Sequence, residues 1–173
     1  MADWATLVVR HSAAVEEFLR AAREVDADRW TQPSAPDKWS PAEITSHLTE
    51  SYHTFRSELA GRPGMEIRVG PIRRWVLRRT MLPRILSTGV FPAGARAPRE
   101  TRPRNIEPNP GIALHRLSTE ADTMVQELSD RVRSGRVRLT HAYFGRMSAR
   151  QSLTLAIVHT RHHARQVSGV SAA

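Results

Sequence analysis

The sequence predicts an all-α protein, a four-helix bundle with a long Pro/Gly-rich crossing loop. Three observations predict it. Four segments carry apolar residues at three- and four-residue spacing, the stripe of a helix that buries one face. One of those segments opens on a sharp serine–proline start signal and another on a serine N-cap. No segment shows convincing two-residue alternation, so no strand is expected.

The first helix is expected from about Asp3 to Val25, with Asp3 as its cap and Leu7, Val15, Phe18 and Ala22 on its stripe. Pro33, Pro36 and Asp37 then mark a loop. The second helix begins at Ser40, an N-cap followed by Pro41 at the first helical position and by Glu43 three residues on, which together make a capping box. Ile44, His47, Leu48, Tyr52, Phe55 and Leu59 form its apolar face, and Gly61, Pro63 and Gly64 end it. A weaker helix is expected from Pro71 to about Leu86, kinked or interrupted at Pro83, with Ile72, Trp75 and Leu82 inward and arginines outward. Such a basic amphipathic segment can lie on an acidic membrane, but an ordinary solvated face is the favoured reading. Residues 87–111 are rich in proline and glycine and have no period, which reads as a functional loop crossing the bundle end. A helix follows from about Ile112 to Ser134, then a short turn from Leu139 to Gly145. The last helix runs from Ser148, a natural N-cap, to about Ser168.

The chain has 173 residues, 40% hydrophobic and 25% charged, and reads as a single domain over residues 1–173. It has no run of about 18 apolar residues and no secretory leader, so a cytoplasmic protein without a membrane partner is expected. There are no cysteines, which excludes disulfides, thiolate metal sites and a cysteine nucleophile. Any metal must therefore sit on histidine or oxygen ligands. The formal charge is +9, and Lys38 is the only lysine. Because acidic residues are interspersed with the arginines, nucleic acid is not the expected partner despite that charge.

Of the 8 histidines, three positions matter most. His47 lies on the apolar face of the second helix, between Ile44 and Leu48. His159 and His163 lie one turn apart on the last helix, and residues four apart point within about 40° of each other. A third imidazole from a neighbouring helix would complete a three-nitrogen site with positions open to water or substrate. Taken alone, these residues admit other arrangements. A histidine on an apolar stripe is commonly a packed core residue, and His162 is also within reach of His159 at spacing three. His11 falls on the first helix's stripe as a packed residue or a support to the site. His53 and His115 read as helix flanks, and His141 as packing for its turn.

The segment Lys38-Trp39-Ser40-Pro41-Ala42-Glu43-Ile44-Thr45-Ser46-His47-Leu48 resembles the signature of the DinB-like family. The run from Phe144-Gly145 through Ser148 and Gln151 to His159-Thr160-Arg161-His162-His163-Ala164-Arg165-Gln166 is similar to that family's closing helix, as is the stretch Phe91-Pro92-Ala93-Gly94 and Ala97-Pro98 through Pro103 to one of its branches. The resemblance spans Trp39 to Val167. It implies a four-helix bundle holding a divalent metal (zinc, nickel or iron) on His47, His159 and His163, with His163 preferred over His162. It further implies chemistry with a low-molecular-weight thiol: a metal-dependent thiol S-transferase, or a hydrolase, acting on a small electrophilic substrate. Arg56, Arg161 and Arg165 are the arginines expected by helical position to meet an anionic thiol. No general base stands out. Glu43 serves the capping box, and Glu50 lies one turn from His47; either can support the ligands. The catalytic residues are not identifiable from the sequence. The alternative is a non-catalytic, metal-stabilised, stress-related binding protein. Such bundles can pair as homodimers, although no exposed apolar seam demands it.

Overall fold

The computed structural model describes residues 3–92 and 95–171. Ala93 and Gly94, part of the resemblance, lie outside the described residues. Five α-helices, a single 3-10 turn and one hairpin make up the regular structure of those residues: α1 (Trp4–Arg23), α2 (Pro41–Leu59), α3 (Pro71–Thr88), the 3-10 turn Arg99–Thr101, α4 (Pro110–Ser134), β1 (Arg138–His141), β2 (Gly145–Ser148) and α5 (Ala149–Ser171).

α1 packs along α5 and α2 along α4, while α1 also meets α4 and α2 meets α5. These four helices enclose the main core, where Phe18, Trp30, Leu48, Leu117, Leu128 and Leu153 are essentially inaccessible. Each such side chain contributes about 1.5–3 kcal/mol by leaving water. This is the bundle the stripes predict. α3 lies outside the four. Leu82 and Ile85 on its inner side join Phe144, Met147, Leu155 and Val158 in a smaller second cluster against the hairpin and α5.

Both helices that carry the three histidines have firmly fixed starts. At α2, the Glu43 backbone N–H donates to Ser40 Oγ and the Ser40 N–H donates back to the Glu43 carboxylate at 2.8 Å. At α5, the Gln151 N–H donates to Ser148 Oγ and the Ser148 N–H donates to Gln151 Oε1. Each reciprocal cap satisfies two orphan donors and contributes about 1 kcal/mol.

Four expectations are corrected. Ile72 and Trp75, expected on the inner side of α3, are 81% and 62% exposed. The turn expected at Leu139–Gly145 is an antiparallel hairpin in which Leu139 pairs with Met147 and His141 with Gly145. Its strands are four residues long and put only Leu139 and Met147 into the core, too few for a two-residue period to register. α3 continues through Pro83, with no break in the helix. α5 runs past Gly169 to Ser171 instead of stopping before it. In the connection after α3, the 3-10 turn Arg99–Thr101 packs against α2. Gly89 caps α3 in the left-handed region, φ 67°, where glycine pays no steric cost.

Candidate metal centre

The apolar stripe of α2 faces inward, so His47 is buried beside Leu48. α5 turns His159 and His163 toward it. The three rings converge: His47 Nε2 lies 3.1 Å from His159 Nε2, and His163 Nε2 lies 3.0 Å from the same atom. One nitrogen from each ring falls within 4.8 Å of the others.

The tautomers follow from the partners behind the rings. A carbonyl only accepts, so His47 Nδ1–H donates to the Thr101 carbonyl, at 2.5 Å. His163 Nδ1–H donates to Gln166 Oε1 at 2.7 Å, while the Gln166 amide donates to His162 Nε2 at 3.1 Å. Both rings therefore aim an unprotonated Nε2 at His159. His159 Nε2 carries at most one proton and can satisfy only one of them, so at least one close N···N contact has no proton between its nitrogens. Two nitrogens about 2.1 Å from a common cation stand about 3.0 Å apart at an octahedral angle and about 3.4 Å apart at a tetrahedral one, so both contacts lie near a ligand–ligand separation. The donor set thus fits a divalent ion better than it fits a self-contained hydrogen-bond network. Carbonyl and amide partners behind ligating imidazoles are the usual means of fixing their orientation.

The rings are also held neutral. Burial pushes His47 down to about 4 despite the Thr101 bond, which acts the other way. Burial first, and then neighbouring His163 and His47, hold His159 well below the ordinary histidine range. Burial and then His47 do the same for His163. Protons therefore do not compete for these nitrogens near neutral pH.

The cluster opens onto a cavity of about 1400 Å³. Trp39 tilts over His47 at 4.8 Å between ring centroids, and Phe91 covers His159 and His162 at 5.5 and 5.1 Å. α3 contributes Leu77, Met81 and Ile85, and the connection after it contributes Phe91 and residues 95–98 and 101–103. The cationic lining is Lys38, Arg73, Arg96 and Arg102.

His162 stands beside the cluster, half-exposed against Phe91. His11 is a packed core residue: its Nε2 is 3.1 Å from Tyr52 Oη, which in turn lies 2.7 Å from Thr160 Oγ1. His53 and His115 are on the surface. His141 faces the cavity.

The three arginines expected at the mouth are elsewhere. Arg56 pairs with Glu120 and Glu127, Arg161 with Glu17, and Arg165 donates to the Gly89 carbonyl. Helical angle gives a direction but not the partner that waits across the interface. Neither carboxylate weighed as a support fills that role. Glu43 stays in its cap, and the histidines are backed instead by Thr101 and Gln166. Gln166 could have been found from its spacing, three residues after His163. The Thr101 carbonyl had no sequence signal.

No helix among the described residues is long and apolar enough to cross a membrane. No match was found among curated proteins or among solved structures. A family model described as DinB superfamily matches residues 10–167, nearly the whole chain and all three converging histidines. The chain belongs to the DinB superfamily.

Proposed function

We propose that His47, His159 and His163 hold one divalent cation, and that the cavity above them serves a reaction in which a thiol or water attacks a small electrophilic substrate. The observation that carries this reading is the pair of 3.0–3.1 Å Nε2 contacts at the floor of a large cavity. A purely structural ion is enclosed by its ligands, whereas three imidazoles beside open space leave coordination positions free. An ion bound there with neutral ligands keeps its full charge, and so lowers the pKa of a thiol or water beside it.

The chain's own residues supply the rest. Thr101 and Gln166 orient the ligands. Trp39, Phe91, Leu77 and Met81 give the site an apolar wall. The cations at the mouth favour an anionic thiol or substrate. Zinc, nickel and iron all suit three imidazoles.

Elemental analysis of protein purified without a histidine tag tests the first half of the proposal. One ion per chain is expected, lost in His159→Ala. A chain that holds no ion and takes up neither zinc nor nickel would end this reading. The second half is tested by turnover of an activated aryl halide with a panel of low-molecular-weight thiols. A fully metallated protein inert with every thiol, and toward hydrolysis, would reduce the site to a structural one.

A further inference from the structure

His141 is a half-buried histidine that neither the three-nitrogen cluster nor the His11 network uses. It closes β1, and its Nδ1 accepts the Tyr143 backbone N–H at 3.2 Å. The ring stacks on Phe144, 4.6 Å between centroids and 21° between planes, so it has little freedom to turn. Burial pushes its pKa down to about 4, which keeps it neutral near pH 7. A neutral imidazole has one N–H, and Nδ1 is already an acceptor, so the proton is on Nε2. Nε2 has no acceptor among the described residues. The ring lines the same cavity as His47, His159 and His163. A donor held this rigidly against a cavity, with its N–H open to the cavity and unused by the fold, suits an acceptor supplied from outside the chain.

The charge around the cavity narrows that acceptor. Lys38, Arg73, Arg96 and Arg102 line it, and none makes an ion pair among the described residues. Of the two lining carboxylates, Glu43 is engaged by the Ser40 N–H and only Asp37 remains. The balance favours an anion.

We propose that the ligand of this cavity carries a carboxylate, and that His141 Nε2–H is the fixed donor that holds one of its oxygens while the unpaired cations at the mouth supply the charge. This deepens the proposed function by naming the class of ligand. It rests on the cavity being the binding site and does not require the ion.

The test uses benzoate as probe on untagged protein in zinc-containing buffer. Long-range proton–nitrogen spectra should show His141 with a protonated Nε2 and a bare Nδ1, and benzoate should shift Nε2. His141→Phe keeps the stack on Phe144 and should weaken benzoate about tenfold. It should leave toluene binding, which offers no acceptor, and the zinc content unchanged. A proton on Nδ1, benzoate affinity within about twofold of wild type in His141→Phe, or no benzoate binding by the wild type would each overturn the proposal. Should His141→Phe fail to fold, the wild-type tautomer and the benzoate-induced shift decide the matter alone. Metal content separates the two readings. A zinc-free chain that still binds benzoate through His141 removes the ion but keeps this donor, and a zinc-loaded chain that ignores benzoate does the reverse.

Discussion

Gln166 offers the sharpest test of the proposed centre, because it touches a ligand without being one. Its Oε1 accepts His163 Nδ1–H at 2.7 Å and its amide donates to His162 at 3.1 Å. Gln166→Leu removes the acceptor at nearly constant volume, and the proton on His163 is then no longer confined to Nδ1. Once His163 is coordinated its N–H is charge-assisted, and such a bond contributes about 1.5–3 kcal/mol, or about 10- to 100-fold in metal affinity. Gln166 is itself exposed, so water replaces part of what is lost, and the lower figure, about tenfold, is expected. Gln166→Glu supplies a stronger acceptor and should bind zinc at least as tightly as wild type. Competition with a chromogenic chelator on untagged protein reads both, with a thermal melt beside it to exclude a folding effect. If Gln166→Leu binds zinc within about twofold of wild type, the reasoning that Gln166 orients a ligand is wrong.

The acid response has a definite sign. The pKa of His11 falls from 6.5 in the unfolded chain to about 4 in the fold because of burial, so its contribution is complete above pH 6.5 and is lost as pH drops toward 4. Between about pH 7.5 and about pH 5 this amounts to about 2 kcal/mol, and urea titrations of His11→Phe should show a loss smaller by that amount than wild type shows. Gly145→Ala should lower Tm by about 2–8 °C by calorimetry: Gly145 sits at φ 68°, and an added Cβ would meet Arg74 Cδ at 2.8 Å. Ser40→Ala should cost about 1 kcal/mol in urea unfolding, since it dismantles the cap that starts α2.

The parts of this protein that obey local rules could be read before folding. Ser40, Pro41 and Glu43 announce the start of α2 from within four residues, and four stripes announce four packed helices. The convergence of His47 with His159 and His163 was an expectation of family resemblance, since spacing alone left His162 in contention. What could not be read depends on distant neighbours. The Thr101 carbonyl that orients His47 is 54 residues away, on a connection without a period. Arg56 and Arg161 are held away from the cavity by Glu120, Glu127 and Glu17, which approach them from other helices. The hairpin escaped because each strand commits a single large side chain to the core.

The Thr101 contact has a thermodynamic consequence. The same connection that lends its carbonyl to His47 also walls the cavity, through Phe91, Pro98 and Arg102, and Ser46 clamps it by bonds to both the carbonyl and the N–H of Arg104. A ligand that orders this segment also orders the acceptor behind His47. Linkage is reciprocal, so whatever factor such a ligand adds to the affinity for the proposed cation, the cation must return to the affinity for the ligand. Substitutions in this connection would then change the selectivity of the cavity and the grip of the histidines together.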